Sequence, residues 1–315
     1  MTYLKYLKHY TLGTVFFVVF LFQGYAQTYQ PIKSWSEEIN DRIEAYLNET
    51  KLIKERKVAV FDYDGTLMGQ VPFYMVDEAM IDYTYQVLAN KSDAESKAKV
   101  EMMTKMLEGS TSSDEYVDNR VRFLSGMTPE LVENIGYNTF QNKYRDKIYS
   151  GMRQLLANLE EFGFEIWIIS TSPEVLYQKM IAEEFGIPKD RILGTKSSVE
   201  QGVFTENLVP PRAADQGKAD VIDTYIKEKP LIVGGNSRGD LEMTNKAVGL
   251  KIAVNPDNEK VYSEQENKEL AGHTLYSYWK EKNAIIVYSE DEEDKTVSFE
   301  SERRGVVKNK TVKPE

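Results

Sequence analysis

The 315-residue sequence contains no cysteine and only two histidines, His9 and His273. The absence of cysteine excludes disulfides, thiolate zinc sites, cysteine nucleophiles and attachment of a lipid through a lipobox cysteine. With two histidines, Ser-His-Asp catalysis and multi-histidine metal centres are nearly excluded as well. Hydrolytic chemistry in this chain would therefore depend on carboxylates, hydroxyls, lysine and a hard metal ion.

The chain also lacks the positive charge that nucleic-acid binding needs, since its formal net charge is −11 and its pI about 5.0. Proteins that bind the nucleic-acid backbone carry basic surfaces, so we expect no nucleic-acid partner. Hydrophobic residues make up 41% and charged residues 28% of the chain, an ordinary globular balance. The length suits one large domain, or one domain that carries an insertion.

Residues 1–26 have the layout of a secretory signal peptide: two lysines, a twelve-residue apolar run over 11–22, and small residues before a cleavage point at Gln27. The alternative is an uncleaved membrane anchor, but the run falls short of the roughly 20 apolar residues that a spanning helix needs. The sequence therefore predicts an exported protein, periplasmic or extracellular, with no stable membrane insertion after cleavage.

Beyond the signal, short apolar segments alternate with helical patterns, which is typical of a parallel sheet covered on both faces. We expect an α/β fold with a Rossmann-like parallel sheet core in three layers (αβα). The core is predicted over residues 27–69 and 150–282, and residues 70–149, helical in pattern, are predicted to form an inserted α-helical cap. Residues 283–315 are predicted to be a charged tail, either solvated or folded as an edge hairpin.

The sharpest chemical signal is the run DYDGT at residues 62–66, directly after an apolar strand at 58–61. The carboxylates of Asp62 and Asp64 leave the strand on the same side at its C-terminal end, where open α/β sheets place ligands. One carboxylate can attack, while the other, its pKa raised by its like-charged neighbour, can donate a proton to a leaving group. The alternative is a plain Asp-Gly turn that ends a strand.

Two further segments offer groups that suit a phosphate. Ser170 and Thr171 follow the apolar strand at 164–169 and supply a hydroxyl and backbone N–H groups, although the Ser-Thr-Ser-Pro run also suits a plain helix start. Lys218 stands at another helix start, where its charge beside the positive end of the helix dipole weakly implies a bound anion.

A glycine-rich loop at 234–243 (GGNSRGDLEM) follows another apolar strand and offers Asn236 and Asp240 as oxygen ligands. Each segment alone is a weak signal. Together, in this order, they resemble the haloacid dehalogenase superfamily of phosphohydrolases. The resemblance covers residues 58–256, and the DxDGT motif is its most specific element. It departs from the family pattern at Asn236, where an acidic residue is usual.

The resemblance implies a role for each matched residue. Asp62 would be the nucleophile that forms an aspartyl-phosphate, and Asp64 the general acid and base. The residues implied to hold the phosphoryl oxygens are Thr66, Ser170, Thr171 and Lys218. A Mg²⁺ would bind Asp62, the carbonyl of Asp64 and a side chain of the last motif, and the sequence leaves open whether this is Asn236 or Asp240. Hard cations prefer such oxygen ligands.

The spacing of the motifs locates the insertion. Ser170 follows Asp62 by 108 positions, whereas Lys218 follows Ser170 by only 48. Residues 70–149 therefore look like the helical cap of the phosphoserine-phosphatase-like branch, whose caps close over small phosphomonoesters and exclude water. That branch carries a glutamate nine residues after the nucleophile. This chain has Val71 there, which argues against phosphoserine as the substrate.

The export signal, the Ser-Thr-Ser-Pro-Glu run and the GNSxGD loop look closer to phosphorylcholine-phosphatase-like enzymes. Four aromatic residues of the cap are candidates to contact a quaternary ammonium: Phe73, Tyr74, Tyr83 and Tyr116. The main expectation is a secreted Mg²⁺-dependent phosphomonoesterase that acts on small-molecule phosphate esters. The alternatives are a phosphorylcholine-specific phosphatase, a phosphotransferase or phosphonate-cleaving relative and, because of Asn236, a non-catalytic ligand-binding protein.

Overall fold

A seven-stranded sheet forms the middle of the molecule in the computed structural model, which describes residues 27–108, 114–265 and 267–291. The strands are β1 Lys57–Phe61, β2 Phe164–Pro173, β3 Ile192–Glu200, β4 Val203–Val209, β5 Ile232–Gly235, β6 Leu250–Val254 and β7 Ile285–Val287. They lie in the order β4-β3-β2-β1-β5-β6-β7, and neighbours run parallel except for the antiparallel pair β3 and β4.

Helices precede, connect and follow these strands. The α-helices in the described ranges are α1 Glu37–Thr50, α2 Met75–Gln86, α3 Ala94–Glu108, α4 Asp114–Phe123, α5 Pro129–Thr139, α6 Ser150–Glu161, α7 Val175–Phe185, α8 Gln216–Val221, α9 Leu241–Asn245 and α10 Leu275–Glu281. Two of them continue into π-helical turns, α5 into Phe140–Tyr144 and α8 into Ile222–Ile226. Single 3₁₀ turns lie at Leu88–Asn90, Arg145–Lys147, Lys189–Arg191 and Arg238–Asp240.

The central strand β1 accounts for the layered architecture. Its side chains alternate, so that Ala59 and Phe61 join one apolar cluster while Val58 and Val60 join another on the opposite face. All four are fully buried. A strand that is apolar on both faces must be covered by helices on both sides. The α/β, Rossmann-like core predicted from the sequence is therefore confirmed.

The segment 70–149 is helical where the structure describes it, and it joins the core through two adjacent connections. Met68 and Ile148 form an isolated antiparallel bridge, and the Gly69 N–H donates to the Lys147 carbonyl at 2.8 Å. One apolar cluster extends from the sheet into α2, α4 and α5. We refer to 70–149 as the cap, and its status as an inserted unit stays a proposal.

The chain after residue 282 differs from its predicted tail or hairpin. Ile285–Val287 is an edge strand that pairs in parallel with β6. Ile285 and Val287 are buried, because alternate side chains of this short apolar run face the core while its backbone extends the sheet. The core therefore reaches beyond residue 282.

Two sequence predictions fall outside the described residues: the signal peptide at 1–26 and the chain from 292 to 315. Within the described part of the chain, the helices are too short or too polar to cross a bilayer.

Candidate active site

The polar motifs meet at the carboxyl ends of the central parallel strands. Asp62 follows β1 directly, and its N–H donates to the carbonyl of Gly234 in β5 at 3.0 Å. Ser170 lies in β2, which pairs with the other side of β1 and continues to Pro173 instead of ending at residue 169. Parallel strands present their carboxyl ends at one edge of the sheet, so the motifs converge there as the sequence predicts.

Lys218, in the first turn of α8, is the charged centre of the site. Its ammonium donates to Asp62 Oδ1 at 2.7 Å and to Asp240 Oδ1 at 2.6 Å. All three residues are buried. Burial alone would lower the pKa of Lys218, but the carboxylates of Asp240 and Asp62 outweigh it and hold that pKa above its usual value. Lys218 therefore provides a fixed positive charge beside the candidate nucleophile.

The surroundings of Asp62 shift its pKa in opposite directions. Burial raises the pKa of Asp62 to about 6, the Asp240 carboxylate adds to the rise, and Lys218 opposes it. Its second oxygen, Oδ2, accepts the Thr66 hydroxyl at 3.1 Å. Asp62 thus has both oxygens held by polar groups that lie within the motif set predicted from the sequence.

Asn236 comes close to the DxDGT turn. Its amide oxygen Oδ1 is 3.3 Å from the Thr66 hydroxyl, which also contacts Asp62. Gly65 has a φ of +78°, and a Cβ at this position would lie 2.1 Å from Asn236 Nδ2. A glycine is required at residue 65 by both the positive φ and the close approach of Asn236. The turn therefore brings the oxygens of Asp62 and Asn236 together.

Asp240 is held entirely by donors of the protein. Its Oδ1 accepts the Lys218 ammonium, and its Oδ2 accepts the N–H of Asn236 at 3.1 Å and of Ser237 at 2.9 Å. The Ser237 hydroxyl donates to the same Oδ2 at 2.8 Å. Asp240 therefore fixes the loop after β5 and the position of Lys218.

Asp64 has two oxygens in different surroundings. Oδ2 accepts the hydroxyl of Tyr177, whereas Oδ1 is buried and has no hydrogen-bond partner in the described part of the chain. Burial raises the pKa of Asp64 to about 7, the Tyr177 hydrogen bond opposes the rise, and Asp62 adds to it. Sequence reasoning missed Tyr177, because nothing in the pattern of α7 distinguishes it from other buried aromatic residues.

The other two predicted phosphate ligands differ in their surroundings. Ser170 is buried at the site's edge, and its hydroxyl oxygen accepts the Ser172 N–H at 3.2 Å. Thr171 is half-buried, and its carbonyl accepts the Thr195 hydroxyl of β3 at 2.8 Å. Ser170 thus lies on the strand that pairs with β1, while Thr171 also links β2 to β3.

Arg120 of α4 is a second residue that sequence reasoning missed. Its Nε and Nη2 donate to the two oxygens of Asp77 at 2.8 Å each, and its Nη1 is 3.4 Å from the Ser172 hydroxyl. The guanidinium also lies 4.7 Å from the ring centre of Tyr116 and 5.6 Å from that of Tyr74. Two of the four aromatic residues proposed to contact a quaternary ammonium therefore already contact a cation of the chain itself.

The donors at the site suit a hard cation in number and type. No group of three or more acidic or histidine side chains in the described ranges is arranged to hold a metal ion. Mg²⁺, however, needs only one or two carboxylates, since it keeps several waters and binds the substrate phosphate. The Asp62 carboxylate and the Asn236 amide oxygen, at 3.1 and 3.3 Å from the same Thr66 hydroxyl, are oxygen donors of this kind. The residues present therefore fit Mg²⁺.

The fold and this site define a class of protein: a three-layer α/β protein with an acidic DxDGT turn, a buried lysine and an Asn-Asp loop at one edge of a mostly parallel sheet. A model of the haloacid dehalogenase-like hydrolases matches residues 59–244, and the chain belongs to this family. A phosphoserine phosphatase of Mycobacterium tuberculosis is 27% identical over 210 residues, which cover 63% of this chain and 65% of the relative.

A phosphoserine phosphatase of Archaeoglobus fulgidus is 25% identical over 207 residues, covering 64% of this chain and 53% of that protein. The chain thus matches less than two thirds of the length of these relatives. Solved structures of proteins of unknown function from Anaerococcus prevotii and Bordetella pertussis have TM-scores of 0.55 and 0.54 at 16% and 15% identity. They cover 76% and 74% of this chain, and 92% and 99% of their own chains, and they share its fold.

Proposed function

We propose that the protein is a Mg²⁺-dependent phosphomonoesterase that hydrolyses small phosphate esters through an aspartyl-phosphate. The observation that carries this proposal is the buried ammonium of Lys218, 2.7 Å from Asp62 Oδ1, with Asp64 two residues further along the same turn. Phosphoryl transfer needs a positioned nucleophile, a proton donor and positive charge where negative charge develops. Membership of the hydrolase family and the names of the relatives support the same reaction.

The chain's own residues account for both half-reactions. An oxygen of Asp62 attacks phosphorus, the bond from phosphorus to the ester oxygen breaks, and Asp64 donates its proton to that oxygen, so that the alcohol leaves. Asp64 then takes a proton from a water that attacks the phosphorus of the acyl phosphate, which releases phosphate and restores Asp62. Lys218 and the Ser170 hydroxyl hold the non-bridging oxygens throughout.

Bound Mg²⁺ would neutralise part of the charge of the phosphate dianion. We assign its side-chain ligands to Asp62 and Asn236. Asp240 is the less suitable choice, because its Oδ2 accepts three hydrogen bonds from the loop after β5 and its Oδ1 accepts the Lys218 ammonium. The Oδ2 of Asp62, in contrast, accepts one side-chain hydroxyl, that of Thr66. In this assignment Asp240 orients Lys218 and Asn236 without contacting the ion.

The substrate within this class is a small ester. O-phosphoserine is the first candidate, because relatives at 25–27% identity are named phosphoserine phosphatases, although Val71 brings no carboxylate to the position nine residues after Asp62. Phosphorylcholine is less favoured, since the rings of Tyr74 and Tyr116 contact Arg120. From residues 1–26 we further propose that the protein is exported.

The test is turnover of para-nitrophenyl phosphate and a panel of small esters, with Mg²⁺ and with EDTA. Turnover should require Mg²⁺, and Asp62→Asn should abolish it because an amide does not attack phosphorus. Asp41→Asn, a matched change at an exposed position of α1, should leave turnover intact. Ester binding without any turnover by the wild type would instead favour a non-catalytic binding protein.

A further inference from the structure

Tyr177 contacts the candidate proton donor directly and belongs to none of the sequence motifs. It lies in the first turn of α7, and its side chain is fully buried. Its hydroxyl donates to Oδ2 of Asp64, while Oδ1 of Asp64 has no hydrogen-bond partner in the described part of the chain. A buried carboxylate oxygen without a partner is costly unless the site uses it.

The position of Tyr177 is fixed by its surroundings. Its backbone N–H donates at 2.9 Å to the carbonyl of Glu174, the N-cap residue of α7 directly after β2, so its backbone is fixed by the start of the helix. Its ring packs against the ring of Tyr63, with 5.1 Å between the centres and 59° between the planes. The Tyr177 hydroxyl therefore keeps its position when the Asp64 carboxyl group rotates. As a result, the hydrogen bond favours one orientation of that carboxyl group.

We propose that Tyr177 is the positioning residue for Asp64: it holds Oδ2 and thereby leaves Oδ1 as the oxygen that exchanges the proton. This inference rests on the proposed phosphatase function. In the acid form the proton lies on Oδ1, because Oδ2 accepts the tyrosine O–H. The Oδ1–H bond breaks as the phosphorus–oxygen bond of the ester breaks, and the proton passes to the leaving oxygen. Tyr177 keeps its own proton in both half-reactions.

The physical consequence concerns the alignment of proton transfer. Without the hydroxyl of Tyr177, the Asp64 carboxyl can rotate and carry its proton on either oxygen, so fewer encounters are productive. A general acid contributes most when the leaving group is a poor one, since a good leaving group departs without a proton. The loss of rate in a variant without this hydroxyl should therefore depend on the leaving group. A purely structural role of Tyr177 would not produce this dependence.

The first experiment compares wild type and Tyr177→Phe on para-nitrophenyl phosphate, phenyl phosphate and an alkyl phosphate. We expect kcat/KM, which reports on the steps up to release of the alcohol, to fall about tenfold for the alkyl ester and little for para-nitrophenyl phosphate. Tyr63→Phe is the matched control: Tyr63 is equally buried, and its hydroxyl makes no hydrogen bond in the described part of the chain. Circular dichroism and the thermal midpoint check that each variant folds.

The second experiment places Tyr177→Phe in an Asp64→Asn background. If Tyr177 acts through Asp64, the tyrosine change should have almost no further effect on kcat/KM there, so the two losses are not additive. Equal losses for good and poor leaving groups, or full additivity in a folded double variant, would overturn this inference and leave the phosphatase proposal standing. Absence of any turnover by the wild type would overturn both.

Discussion

At the scale of single residues, Gly65 leaves no room for a side chain beside Asn236. Gly65→Ala should destabilise the protein by about 1–3 kcal/mol, because it combines a positive φ with a clash. Turnover should fall as well, since the new Cβ would lie 2.1 Å from Asn236 Nδ2. Thermal unfolding and turnover measure the two effects.

Gly202→Ala provides the control for this prediction. Gly202 has a φ of +84°, but nothing lies within 4 Å of a Cβ at this position. The control should therefore show backbone strain without loss of turnover. Equal loss of turnover in both variants would mean that the approach of Asn236 to the turn has no role in the reaction.

Asn236 itself tests the metal assignment. Asn236→Asp adds a negative charge to the oxygen donors, so it should lower the Kd for Mg²⁺ roughly tenfold, while Asn236→Ala should raise it, since affinity follows ligand charge. Calorimetric titration with Mg²⁺ alone measures this without relying on turnover. An unchanged Kd in both variants would mean that the side chain does not approach the ion.

At the scale of helices and strands, the buried ion pair between α2 and α4 links two elements of the cap. The side chains of Arg120 and Asp77 are 4% and 2% exposed and pair through two hydrogen bonds. Arg120→Met should destabilise the protein by about 3–5 kcal/mol, because it leaves the Asp77 carboxylate buried without its partner. Urea unfolding measures the change.

The double variant Asp77→Leu/Arg120→Met should recover most of that loss, since an apolar pair of similar volume replaces the charges. Lys105→Met, in the exposed pair of Lys105 and Glu101, should have no measurable effect. If the two changes at Asp77 and Arg120 destabilise additively, the ion pair is not the source of the effect.

The sequence predicts the inner strands and the motif positions because both are local signals. Apolar runs identify strands such as β1, and the polar residues directly after them must lie at the sheet edge. The contacts of Tyr177 with Asp64 and of Arg120 with Asp77 span 113 and 43 residues, so no local pattern contains them. The sequence left β7 open between a solvated tail and an edge hairpin, because three apolar residues beside an acidic run do not indicate that they pair in parallel with β6.

At the scale of the whole molecule, Asp291 joins the end of the described chain to the connections of the cap. Its Oδ2 accepts the N–H of Gln70 at 2.7 Å and of Val71 at 3.2 Å, where the chain enters the cap. The Lys147 ammonium, where the chain leaves the cap, is 3.5 Å from Asp291 Oδ1 and donates to the Val71 carbonyl at 2.7 Å. The Asp291 carboxylate, which is 3% exposed, thus links the segment after β7 to the chain both where it enters and where it leaves the cap.

Asp291→Ala should loosen these connections, because it removes the acceptor that the amides of Gln70 and Val71 share. Hydrogen bonds to a charged group contribute about 1.5–3 kcal/mol, so both amides should exchange with solvent about 10- to 100-fold faster. Amides of β1 should keep their rates, since the core is untouched. Under the proposal that 70–149 is a cap that closes over the substrate, KM for small esters should rise, because looser connections make the closed arrangement entropically more costly. Hydrogen exchange followed by mass spectrometry or NMR measures the first effect, and Glu290→Ala, at the exposed neighbouring position, is the control. If Gln70 and Val71 exchange at wild-type rates in folded Asp291→Ala, the segment after β7 does not restrain the connections of the cap.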